Sequence, residues 1–163
     1  MHGMPDLLDG LRRAPAILRE FAESIPEPKL NARRGVGFWT IAEHINHLAH
    51  VQPILLERIN RFIAEDHPEF VPYLPDKDSD APAAAARINL PEVLEDFTKY
   101  RNKQVALLKN AGEKIWRRTG KHPEYDLYSL HILVRHILMH DHWHMYRMEE
   151  LWLTKDAYLT RLE

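Results

Sequence analysis

The chain has 163 residues, 45% of them hydrophobic, and 11 prolines, which predicts one domain over residues 1–163 with enough apolar mass for a core. Lys and Arg total 22 against 24 Asp and Glu, a formal net charge of -2, which argues against a nucleic-acid partner. Cysteine is absent, so disulfides, thiolate ligands and a cysteine nucleophile are excluded, and any metal must be held by nitrogen and oxygen. The start, Met1-His2-Gly3-Met4-Pro5-Asp6, lacks the basic and apolar regions of a signal peptide, and no run of about 18 apolar residues suggests a membrane span, so a cytoplasmic protein without a membrane partner is expected.

In chain order, Leu7, Leu8, Leu11, Ala14, Leu18, Phe21 and Ala22 recur at helical spacing and predict a first amphipathic helix over Asp6 to Ser24, bent at Pro15. Pro26 and Pro28 end it, and residues 31–37 read as a loop. Thr40-Ile41-Ala42-Glu43 has the form of a capping box, so a second helix begins there. Its apolar period, from Ile41 to Ile63, continues on both sides of Pro53, which predicts a kink rather than a break. Residues 66–90 hold Pro68, Pro72, Pro75 and Pro82 and read as a long crossover.

Pro91 suits the first turn of a third helix, whose Leu94, Phe97, Arg101, Val105 and Leu108 share a face. Residues 114–126 read as irregular, with no alternating strand pattern and no credible hairpin turn. A fourth helix is expected from Leu127 or Tyr128 to about Trp152, followed by a short helical turn in the tail. Four long helices and one long connection predict an all-α four-helix bundle.

The unusual count is histidine, 11 copies, of which eight fall in two predicted helices: His44, His47 and His50 in the second, and His131, His136, His140, His142 and His144 in the fourth. On a helical count Leu133, Ile137, His140, His144, Met148 and Leu151 lie within about 80° of one another, placing two imidazoles one turn apart in the buried stripe. His142 and His131 face the other way, and His136 sits at the edge. A single histidine on an apolar face is ordinarily a core residue satisfied by one hydrogen bond. Two adjacent ones need two acceptors, or one divalent cation that ligates both neutral rings. A ligand from the second helix would complete three protein ligands with open positions, the stoichiometry of a catalytic site. The count places His44 nearest the apolar stripe, His47 on its flank and His50 outward. No Glu-x-x-His pair supports a carboxylate-bridged di-iron site, and HExxH is absent.

Trp39-Thr40-Ile41-Ala42-Glu43-His44-Ile45-Asn46-His47-Leu48 and His140-Asp141-His142-Trp143-His144 resemble the motifs of the DinB/YfiT-like family of metal-dependent enzymes: a Trp-Ser/Thr helix start with a histidine eight positions on, and a late HxxxH. The resemblance implies a four-helix bundle with a long crossover, one divalent metal (Ni, Zn or Fe) held by His47, His140 and His144, and a homodimer. It also implies hydrolase or thiol-dependent transferase activity on a small molecule, with a low-molecular-weight thiol such as bacillithiol or mycothiol as cosubstrate. Tyr146-Arg147 stands where many relatives carry Gly-Gln. The resemblance selects His47 where the angular count favours His44, which stays in reserve.

A metal so held can act as a Lewis acid, lower the pKa of bound water or bind a thiolate. Glu43 and Asp141 are the carboxylates nearest in sequence, each equally suited to orienting an imidazole or, for Glu43, to the capping box. Arg33, Arg34, Arg147 and Lys121 are expected as solvated surface cations, and Trp39, Trp116 and Trp143 as packing residues. The alternative reading is a non-catalytic binding module or dimeric structural bundle with a structural metal or none.

Overall fold

The computed structural model describes residues 3–72 and 88–160. Helix α1 (Met4–Ser24) is followed by one turn of helix, α2 (Glu27–Leu30). Next come α3 (Ile41–His50), α4 (Gln52–Ala64), α5 (Leu90–Asn110) and the short α6 (Glu113–Trp116). Strands β1 (Thr119–His122) and β2 (Tyr125–Ser129) precede α7 (Leu130–Leu153), and a 3-10 turn at Asp156–Tyr158 ends the described chain. Helix α1 and the α3–α4 rod each pack on α5 and α7, the arrangement of a four-helix bundle. The expected crossover falls partly outside the described residues, as do Pro75 and Pro82.

The second helix is interrupted at one residue, Val51, just before Pro53; Val51 keeps right-handed helical angles, and its N–H still reaches the His47 carbonyl. Pro53 has no N–H for the Ala49 carbonyl, the Val51 N–H turns back to Ala49 and His47, and Pro53 becomes a first-turn residue of α4, where its missing donor costs nothing. Pro15, by contrast, lies inside an unbroken α1. The fourth helix begins at Leu130, later than expected, because Ser129 caps it by accepting from the Ile132 N–H at 3.3 Å.

The residues before it are not irregular. β1 and β2 form an antiparallel hairpin with Thr119 opposite Ser129 and Gly120 opposite Tyr128, and an irregularity between Gly120 and His122. The strands are too short to alternate visibly, and the Pro123-Glu124 turn lacks the Gly or Asn that marks a hairpin in a sequence. The chain leaving α4 joins this hairpin. Phe70 N–H donates to the Lys121 carbonyl at 2.8 Å and Lys121 N–H to the Pro68 carbonyl at 2.9 Å. A Cβ on Gly120 would lie 2.6 Å from that Pro68 oxygen, so only glycine permits the approach. Arg118, just before β1, donates to the carbonyls of Phe62, Ile63 and Glu65, capping the end of α4.

The core has two apolar lobes. Leu11, Ile59, Phe62, Leu108, Trp116, Leu130 and Ile137 fill one; Leu18, Ile41, Ile45, Leu48, Leu94, Phe97 and Met148 fill the other. On each of the three rods α3–α4, α5 and α7, buried polar residues fall between the two sets: Gln52, then Arg101 and Gln104, then Asp141 and His144. Arg101 grips both oxygens of Asp141, at 2.5 and 3.1 Å, and reaches Gln52 Oε1 at 3.3 Å. Gln104 donates to the same Gln52 oxygen, and Gln52 donates to the Leu48 carbonyl at 2.7 Å, beside the interruption at Val51. Burial pushes the Asp141 carboxyl above its usual range, against the pull of Arg101. A polar layer thus crosses the bundle beside the histidines.

Candidate metal centre

The capping box at the start of α3 is formed: Thr40 Oγ1 accepts from the Glu43 N–H at 3.2 Å, and Glu43 Oε2 accepts from the Thr40 N–H at 2.7 Å. It fixes the entry of α3, so that His44 and His47 face α7, where His140 and His144 lie one turn apart.

His47, His140 and His144 each bring one ring nitrogen to within 4.8 Å of the other two. His47 Nε2 lies 3.3 Å and His144 Nε2 3.2 Å from the same atom, His140 Nε2. That atom has either one proton or one lone pair in the ring plane, so it can satisfy one neighbour and not both. Three lone pairs directed at a single cation remove the conflict. The two spacings to His140 also suit one, since zinc–nitrogen bonds of about 2.0–2.1 Å put tetrahedral ligand atoms about 3.3–3.4 Å apart. The buried Nδ1 of His140 has no hydrogen-bond partner among the described residues.

His44, the most deeply placed histidine of α3, stands behind this group. Its Nδ1 lies 2.8 Å from His144 Nδ1, so when His144 presents a bare Nε2 its Nδ1 proton is donated to His44. Metal-binding imidazoles are commonly held in orientation and tautomer by such a bond on the rear nitrogen. Desolvation is the main cause that lowers the pKa of His44 and His140 to about 4 and of His144 to about 2. All three rings are therefore neutral at pH 7, the form that ligates. Trp39 packs against the group, its ring 5.1 Å from His47 and 5.3 Å from His44. Trp143 touches His144 from the outer side, while Trp116 is core, with its Nε1–H donated to the Leu108 carbonyl. His50 and His142 are exposed, as the angular count requires.

Three carboxylates near the histidines are committed elsewhere. Glu43 serves the capping box and pairs with Arg33; Asp141 is held by Arg101; Glu150 pairs with Arg147 and accepts from Thr160. The expectation of solvated cations fails for two of four. Arg147 is buried against Glu150, and Arg34 fastens the end of α7 through the Leu151 and Thr154 carbonyls and Asp156. Arg33 also donates to the Phe38 carbonyl, and the exposed Lys121 pairs with Glu69.

A cavity of about 230 Å³ opens beside His47 and His140. Val51, Leu55, Leu133 and Ile137 wall it, and Arg58, His122, Glu124, Tyr125 and His136 line it as well. Sequence reading missed this second group, because nothing in the spacing links α4 to a hairpin that was not expected. A smaller cavity, about 190 Å³, lies on the other side between Phe38, Trp39, Trp143 and the His44–His144 pair.

Two comparisons with known proteins place this architecture. The fold is similar to that of YfiT from Bacillus subtilis, described as a probable metal-dependent hydrolase with an unusual four-helix bundle topology. The match has a TM-score of 0.76 and 21% identity over 91% of this chain and 85% of that one. Comparison with curated proteins gives no match. The family model described as the DinB superfamily matches residues 10–148, and with that extent of match the chain belongs to the DinB superfamily.

Proposed function

We propose that this protein is a metal-dependent enzyme acting on a small molecule, with His47, His140 and His144 holding one divalent cation. The reading rests on one observation: His140 Nε2 faces the Nε2 atoms of both partners at hydrogen-bond distance and can satisfy only one of them by a proton. When bound, the cation supplies Lewis acidity, lowering the pKa of a water or thiol that enters its remaining positions. His44 holds the His144 ring in the ligating tautomer. Arg101 keeps the Asp141 carboxylate turned away from the histidines, so the donor set is nitrogen alone. The apolar walls of the cavity beside His47 and His140 exclude water from a bound substrate's body.

Between hydrolysis and thiol transfer, the committed carboxylates favour transfer. Glu43, Asp141 and Glu150 each pair with an arginine, leaving none of these three as a ready general base. A thiol, with a free pKa of about 8.5, ionises on the cation and attacks without a carboxylate base to orient it. We therefore favour a thiol cosubstrate, with the two cavities on either side of the histidines receiving the two reactants. A homodimer in the cytoplasm completes the proposal, on the strength of the sequence resemblance.

Metal analysis of protein purified without a histidine tag tests the foundation. Close to one equivalent after loading with zinc or nickel is expected, and less than about a tenth of an equivalent overturns it. Turnover that requires both the metal and a low-molecular-weight thiol supports transfer; metal-dependent turnover in water alone supports hydrolysis.

A further inference from the structure

The cavity beside His47 and His140 has two chemically different ends. From His140, α7 contributes His136 one turn away and Leu133 two turns away, so the lining extends about 10 Å along the helix at 1.5 Å per residue. Val51, Leu55, Leu133 and Ile137 give it apolar walls. Away from the histidine group the lining changes to Arg58 from α4 and to His122 and Tyr125 from the hairpin.

That far end is rich in donors. His122 Nδ1 accepts the Glu124 N–H at 3.3 Å, which places the ring proton on Nε2 and makes this buried imidazole a neutral donor. Arg58 donates to the Val71 carbonyl at 2.9 Å and lies near Tyr128. Among the described residues no carboxylate forms an ion pair with it, unlike Arg12, Arg61, Arg101 and Arg147. A guanidinium with donors to spare on the wall of a cavity, beside a neutral N–H donor, matches a carboxylate or a similar oxyanion. Glu124, the acidic residue of the lining, has its side chain more than half exposed.

We propose that this cavity takes a substrate with a short apolar body and an anionic terminus, the terminus held by Arg58 and His122 and the reacting group directed at the histidines. A volume of about 230 Å³ lies below the common range for drug-sized ligands, about 300–1,000 Å³, so the body is small. This inference rests on the metal-site reading for the reacting end only. The anionic end is a property of Arg58 and the hairpin.

The test has two arms so that the two readings fail separately. In metal-free protein, octanoate is expected to shift the ring resonances of His122 and Tyr125 in nuclear magnetic resonance spectra, octanamide to leave them unmoved, and Arg58→Gln to abolish the octanoate response. Equal responses to the two probes, or no response to octanoate, overturn the proposal whatever the metal does. In zinc-loaded protein, suberic acid monohydroxamate is expected to bind at least tenfold more tightly than octanohydroxamic acid. Arg58→Gln should bring the two to parity without changing octanohydroxamate affinity, and Arg58→Lys should keep part of the preference. A preference that survives Arg58→Gln overturns the assignment. Failure of both hydroxamates to bind, with the octanoate response intact, counts against the metal reading and leaves the anion site standing.

Discussion

Two buried polar groups lie side by side in this bundle and solve the cost of burial in opposite ways. Arg101, Asp141, Gln52 and Gln104 pair charge with charge: the guanidinium covers both carboxylate oxygens, and Arg101 and Gln104 both donate to Gln52 Oε1, while Arg101 Nε and Gln104 Oε1 have no partner among the described residues. His47, His140 and His144 bring no opposite charges together: three ring nitrogens meet where one proton can serve only one pair. A group whose opposite charges meet holds a fold together. A group whose lone pairs converge is unfinished until something positive arrives, and that difference separates framework from site more sharply than burial does.

The largest test of this contrast is removal of a convergent ring. His140→Ala or His144→Ala should abolish metal occupancy, measured by elemental analysis after zinc loading, while the outward His142→Ala retains it; equal losses in all three would erase the distinction. Next is the charge-paired group. Asp141→Ala strands a buried guanidinium and should cost about 3–5 kcal/mol in urea unfolding, whereas the paired replacement Arg101→Met with Asp141→Leu should recover most of that loss. If the double replacement is as damaging as the single one, the layer does more than neutralise its own charge.

His44→Phe sharpens the comparison at the boundary between the groups. It keeps a ring in place but removes the acceptor behind His144, so metal affinity should fall about 10–100-fold with little change in stability. Acidity provides a further measure. His44 and His140, with folded pKa values of about 4, and His144, at about 2, all lie below the ordinary histidine value of 6.5, so the unfolded chain takes up protons that the folded chain refuses. Metal-free protein should therefore keep its full stability above pH 6.5 and lose it progressively as the pH falls towards 4. Denaturation at pH 7.5, 5.5 and 4.5 reads the slope, and His140→Phe should flatten it. The smallest expected effect is that of Thr40→Ala, which removes one half of the capping box and should cost about 1 kcal/mol while leaving metal stoichiometry unchanged.

Much of this could be read from residue spacing, and the exceptions share a cause. Periodicity locates the rods and the inward stripe of α7 because both depend on position along one helix. It ranked His44 above His47, and His44 is indeed the more buried. Burial, however, does not say where a ring ends. From its deeper position His44 reaches the rear of His144, while His47, on the flank, meets the front of His140. The hairpin escaped notice because four- and five-residue strands joined through Pro123-Glu124 carry no strong local signal. With it went His122 and Tyr125, and the relation of both to Arg58. Arg101 was visible as a cation on an otherwise apolar face, a mismatch that implies a buried partner, but identifying Asp141 required the packing of α5 on α7.

The attachment of Arg118 to the end of α4 bears on how the protein tells one molecule from another. One side chain joins the strand that carries His122 to the helix that carries Arg58, so the two recognition groups are set relative to each other before any ligand arrives. A receptor built this way spends little on rearrangement and discriminates by reach: a guest one or two carbons too short leaves either its charge or its reactive end unanswered.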